Sequence, residues 1–264
     1  MSKGKRYKGK RYKKENKKIK INKRKILRLV FLISVICIIV IWFNSKKEQE
    51  ETHNLLNDIV IEENQIQEPQ ETERMLQVRE LKQQYPDVVG WLEVPGTNIN
   101  YPVMQGDDNE YYVKRDYKKE YAFDGSIFLH KDYDWSIPSS NLLLYGHNNK
   151  NDVMFAQLLK YKDESFYKQY PIIKFTTSEE DAEYEIIAVF LSRIYYKTEQ
   201  NVFRYYNFIN AESEAEYNEY VQNAKKESLY NIEATAKYGD QLITLTTCEY
   251  SQEDGRFVVV GRKK

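Results

Sequence analysis

From Trp91 to Lys264 the chain alternates short apolar or β-branched runs with turn residues, the pattern of a mainly antiparallel β-barrel. Eight runs qualify as strands: residues 90–94, 99–103, 126–130, 141–145, 172–176, 182–194, 241–248 and 256–261. Eight strands suit a small closed barrel. Two stretches have helical spacing instead. Residues 153–161 put Phe155, Leu158 and Leu159 on one face, and residues 213–228 carry acids first and bases last, as a helix dipole prefers. Ahead of the barrel, Thr72 can cap a helix whose Met75, Val78 and Leu81 share a face, and Pro86 ends it. The 23 tyrosines and 11 phenylalanines are scattered over these strands, which reads as β-formers and core more than as an aromatic binding surface.

The pattern differs before residue 72. Leu29 to Phe43 carries no charge, and extending the run back to Ile26 includes only Arg28, whose long stem can snorkel to an interface. A helix over 26–43 would span roughly 27 Å, close to the hydrocarbon thickness of a bilayer. Trp42-Phe43-Asn44-Ser45 offers no small-x-small cleavage site, so the run reads as one uncleaved transmembrane anchor. Residues 44–71, rich in Glu, Gln and Asn, read as a stalk lifting a domain over 72–264 off the membrane.

Charge sharpens this division. The formal net charge is zero, but residues 1–28 hold fifteen Lys/Arg against the single acid Glu15, which leaves twenty-five bases against thirty-nine acids afterwards, a net of −14. A basic head alone would suggest a nucleic-acid arm. Followed at once by an apolar run, it reads as a cytoplasmic head (1–25), with everything after Asn44 outside the cell.

The candidate chemistry lies at strand ends. Cys37 falls inside the anchor, so Cys248 is the only thiol of the outer part, and an unpaired cysteine in an exported domain is a candidate reactive thiol. The competing reading is a buried, inert cysteine. Against it, the run Leu242 to Thr247 is apolar or β-branched and turns polar at Cys248, which sets the thiol at a rim. After Gly255, Arg256-Phe257-Val258-Val259-Val260 reads as a last strand returning antiparallel, which brings a guanidinium near the thiol. Leu142-Leu143-Leu144-Tyr145-Gly146-His147 is another apolar strand ending in a reactive side chain. A free thiol is mostly protonated at neutral pH, and His147 can take its proton and return it to a leaving amine. Arg256 stays charged and suits a carbonyl oxygen that gains charge in a transition state. Arg262 shares its strand parity but lies six residues on, about 20 Å along an extended strand. His130 follows Ile127-Phe128-Leu129 and is a rival base by position, while His53 sits in the stalk. Metal hydrolysis lacks its ligands, and no Gly-rich phosphate loop occurs.

The Thr-Leu-Thr-Thr-Cys strand, the upstream Tyr145-Gly146-His147 and the Arg256 that opens a valine-rich strand resemble the sortases, cysteine transpeptidases that attach surface proteins to Gram-positive cell walls. Asn98-Ile99-Asn100-Tyr101-Pro102-Val103-Met104-Gln105, Asp108-Asn109 and Met154-Phe155-Ala156-Gln157-Leu158 resemble class B within that family. The resemblance covers roughly Tyr85 to the C-terminus and implies a sortase-like eight-stranded closed barrel with an N-terminal helix and a helix between strands 6 and 7. It implies the catalytic set His147, Cys248 and Arg256, in the sortase order rather than the Cys-first order of papain-like proteases. It also implies substrate contacts from Asn109, Val113, Tyr145, Thr246 and Glu249, and a cleft wall from the loop 195–209. Thr246 and Glu249 can equally be strand and turn residues, and Asn109 a turn former. Where relatives carry an acid after the Ile-Phe-Leu run, this chain has His130. The implied partners are surface proteins with a C-terminal sorting signal of Asn-Pro-x-Thr type and a peptidoglycan amine, with no cofactor, no metal and no nucleic acid. Two other readings fit the same residues: an exported cysteine protease that hydrolyses, and a non-enzymatic wall-binding module.

Overall fold

The computed structural model describes residue 36, residues 39–47 and residues 71–264 apart from Pro138. The chain divides into two compact units, 1–68 and 69–264. In the first, Ile36 and residues 39–47 are helical and exposed, with Trp42 edge-on to Phe43 at 5.2 Å. Among the described residues no helix is long and apolar enough to cross a membrane. The anchor expected over 26–43 falls mostly outside the described residues, as do most of the stalk, His53 and Cys37.

The second unit opens with helix α1 (Glu73–Gln84), capped as expected by Thr72, whose Oγ1 accepts from Met75 N at 3.2 Å. Met75 and Val78 are its buried face, and it packs on the first strand. Eight strands follow: β1 (Val88–Glu93), β2 (Asn100–Met104), β3 (Ile127–Leu129), β4 (Asn141–Tyr145), β5 (Ile172–Thr176), β6 (Asp181–Arg193), β7 (Leu242–Cys248) and β8 (Gly255–Lys263). They close in the order β1-β2-β3-β4-β7-β8-β6-β5. All neighbours are antiparallel except β2–β3 and β4–β7, which are parallel. Asn141 to Leu144 of β4 are all buried, which accounts for its unbroken apolar run, since strands covered on both faces need not alternate.

Two departures from the expected elements have local causes. The helix expected over 153–161 is a 3₁₀ helix over Ala156–Lys162, followed by a short helix α2 (Glu164–Gln169) capped by Asp163. Met154 is used instead in a bridge to Asn148, and Phe155 N donates to His147 O at 2.8 Å, so residues 153–155 close the loop after β4 before any helix can start. Two further 3₁₀ turns, Tyr111–Lys114 and Tyr205–Asn207, lie in stretches too short to show a period. Helix α3 (Glu214–Glu227) appears where expected, with Ser213 Oγ capping Glu216 N at 3.2 Å. It covers β6, which is why Ile186 to Phe190 are all buried there instead of alternating.

Candidate active site

Strand direction brings the three candidate side chains together. β4 and β7 run parallel in a register that pairs Tyr145 with Thr246, so both strands end at the same mouth of the barrel. β8 runs back from that mouth, and its Arg256 is the direct register partner of Cys248. The two ends are then stitched side by side: Gly146 N donates to Thr246 O (3.3 Å), Thr247 Oγ1 to Gly146 O (2.7 Å) and Asn148 Nδ2 to Cys248 O (2.9 Å). Gly146 is required there, because a Cβ would lie 2.7 Å from the ring of Phe155.

Cys248, His147 and Arg256 line one cleft of about 490 Å³. Cys248 is unpaired and half-buried. Arg256 donates through Nη1 to the carbonyls of Gly255 (2.9 Å) and Asp254 (3.2 Å), and no carboxylate among the described residues forms an ion pair with it. A surface partnership with Asp254 or Glu253 through their carboxylates is therefore not what holds it. Arg262 lies elsewhere, donating to Glu185 Oε2 at 2.7 Å.

Of the five residues expected to touch substrate, Asn109, Val113, Tyr145 and Thr246 line the same cleft. Thr246 Oγ1 shares a buried 2.7 Å hydrogen bond with the Tyr205 hydroxyl, and the Tyr145 ring stacks on Phe128 at 5.2 Å. Burial pushes both phenols well above their ordinary pKa, so they stay protonated. Glu249 does not line the cleft. Its carboxylate is buried and bound to Lys162 Nζ (2.7 Å) and Ser251 N (2.9 Å). Burial alone would raise its pKa, but these donors outweigh that and hold it at about 2.

The cleft has further lining that residue-by-residue reading did not assign: Phe128, His130, Ile194 and Tyr205 to Asn207. The last three come from the loop expected to form the wall, and their spacing carried no signal because the chain there has no regular period. His130 enters as a second histidine. Asp132 N donates to its Nδ1 (3.2 Å), so the neutral ring carries its proton on Nε2, and burial lowers its pKa. Among the described residues no group of acidic, histidine or cysteine side chains is arranged to hold a metal.

Residues 92–264 match the family described as Sortase domain. The chain belongs to the sortase family. It is 36% identical over 190 residues to a sortase B of Listeria monocytogenes, covering 70% of this chain and 73% of that one. Among solved structures, it resembles sortase B of B. anthracis in complex with AAEK1, with a TM-score of 0.62 and 33% identity, over 71% of this chain and 83% of that chain. It also resembles a Staphylococcus aureus sortase B–substrate complex, with a TM-score of 0.65 and 28% identity, over 82% of this chain and 98% of that chain. In this chain the sortase barrel carries helix α1 ahead of β1 and helix α3 between β6 and β7, and its activity is that of a cysteine transpeptidase.

Proposed function

We propose that Cys248, His147 and Arg256 are the catalytic groups of this sortase, and that it acts on a C-terminal sorting signal of Asn-Pro-x-Thr type. The observation that carries the assignment is their convergence on one cleft through the β4–β7–β8 register. Cys248 Sγ gives its proton to His147 and attacks the threonine carbonyl carbon. The carbonyl oxygen takes up the negative charge, and the guanidinium N–H groups of Arg256 donate to it. As the C–N bond breaks, His147 returns the proton to the leaving amine, and a thioester remains on Cys248. A peptidoglycan amine then attacks the thioester, losing a proton to His147, which passes it to the departing thiolate. The product is an amide and the free thiol is restored. Asn109, Val113, Tyr145 and Thr246 hold the peptide along the cleft.

The basic head and the uncharged run 29–43 support a single-pass membrane anchor with the barrel outside the cell. The test is a quenched Asn-Pro-x-Thr peptide, with and without an amine acceptor. Cys248→Ala is expected to abolish cleavage, and Arg256→Ala to lower kcat by about 10²–10³. Full cleavage by Cys248→Ala overturns the nucleophile, and release of acid alone in the presence of acceptor would make the enzyme a hydrolase.

A further inference from the structure

Among the described residues, the ring of His147 makes one hydrogen bond, and the partner is a backbone carbonyl: Nε2 lies 2.8 Å from Val113 O. A carbonyl oxygen only accepts, so the bond requires the proton on Nε2. In the neutral imidazole Nδ1 is then the bare nitrogen. No carboxylate takes up this orienting role. Glu249, the acid beside Cys248 in sequence, is turned to Lys162 and Ser251, and no acidic residue among those described pairs with His147.

The Val113 carbonyl is itself fixed in place. Val113 N donates to Glu110 O (3.1 Å) and Ser126 N to Tyr112 O (3.0 Å), which pins the turn on both sides. Gly125 passes so close that a Cβ there would lie 2.4 Å from Val113 O and 2.7 Å from Tyr112 O, and its φ of +59° favours glycine in any case. Its neighbour Asp124 accepts from Asn149 Nδ2 (2.6 Å) and Asn151 Nδ2 (2.7 Å), which ties this segment to the loop that carries His147. Carbonyl and imidazole therefore sit on two loops braced against each other.

We propose that the Val113 carbonyl, seated by Gly125, is the positioning group for His147, doing with a backbone dipole what a carboxylate does in other histidine-assisted sites. It fixes the Nε2–H tautomer and so makes Nδ1 the nitrogen that moves protons. The S–H bond of Cys248 breaks as Nδ1–H forms, Nε2–H stays on Val113 O throughout, and the same Nδ1 proton later passes to the leaving amine. The accepting carbonyl also stabilises the imidazolium between these two steps. Gly125 acts only through this contact and touches no reacting atom.

The inference rests on His147 being the base, and its test has a readout independent of turnover. In the full chain with ¹⁵N-labelled histidine and ¹³C-labelled valine carbonyl, the neutral His147 ring is expected as a single Nε2–H tautomer, with a coupling across the hydrogen bond to the Val113 carbonyl carbon. An Nδ1–H tautomer, or a mixture like that of free histidine with no such coupling, overturns the proposal. In Gly125→Ala the coupling is expected to vanish and kcat to fall about 10- to 100-fold, the scale of a displacement near 1 Å. A folded Gly125→Ala chain with coupling and kcat unchanged overturns it as well; if circular dichroism shows that variant unfolded, the spectrum of the unaltered chain decides alone. Undiminished turnover in His147→Gln would instead remove the base assignment, an outcome the tautomer measurement cannot produce.

Discussion

A carboxylate directly after the reactive thiol invites a catalytic or substrate role, yet Glu249 serves the barrel. Its ion pair with Lys162 ties the end of β7 to the 3₁₀ helix over Ala156–Lys162, and the Lys162 ammonium also lies 6.0 Å from the ring centre of Phe257. Glu249→Gln is expected to lower Tm by about 4–8 °C at neutral pH, the scale of a lost charge-assisted bond in a domain of this size, and to leave peptide KM near wild type. The folded pKa of about 2 lies below the ordinary 4.5. Its contribution is therefore present above pH 4.5 and lost as pH falls toward 2. Thermal melts should show the unaltered chain losing more Tm between pH 5 and pH 3 than Glu249→Gln; parallel losses would reject the ion pair as a source of stability. Residue type and distance along the strand made it legible in advance that Cys248 and Arg256 lie at the mouth and Arg262 away from it. The direction of Glu249 was not, because a turn residue's side chain is aimed by the turn and its donors, not by sequence alternation.

The wall of the cleft is held by a closed set of contacts between α3, β4 and β7. Tyr220 of α3 stacks on Phe208 at 4.2 Å and shares a hydrogen bond with Thr244 Oγ1 (2.9 Å). Thr244 Oγ1 reaches Asn141 Oδ1 (2.9 Å), and Asn141 Nδ2 donates to Phe208 O (2.8 Å), all with Asn141 fully buried. Removing a buried member leaves its partners unsatisfied at about 1–3 kcal/mol each. Asn141→Ala is therefore expected to destabilise the barrel by that order and, by loosening Tyr205 to Asn207, to raise peptide KM more than it lowers kcat. Chemical denaturation and steady-state kinetics read the two effects, and an unchanged KM would mean the wall does not depend on this network. At the same scale, Ser213→Ala should cost about 1 kcal/mol through the lost cap of α3. Strands β4 and β5 and helix α3 were readable nearly to the residue, since each is an apolar or periodic run with clear stops. The 3₁₀ segments were not, because they are set by what the neighbouring loop has already used, as Met154 and Phe155 are at the His147 loop.

For the whole molecule, the contacts that make the site all lie within residues 69–264. A chain starting at Pro69 is expected to unfold cooperatively and to cleave the peptide with a kcat/KM within about threefold of the full chain, while only the full chain partitions with membranes. Loss of cleavage on truncation would show that the first unit contributes to catalysis and does not merely place the barrel. The amino-acid sequence by itself determined the alternation that makes a barrel, the strand that presents each reactive side chain at its end, and the uneven charge of the two ends of the chain. These are local properties, set by which residues fill a run and where the run stops. Only the tertiary structure decided that β4 and β7 lie side by side in parallel, flush at Tyr145 and Thr246, and that Val113 reaches His147 across a turn built on Gly125. Strand neighbours far apart in sequence are chosen by barrel closure and core packing, which no short stretch of chain encodes.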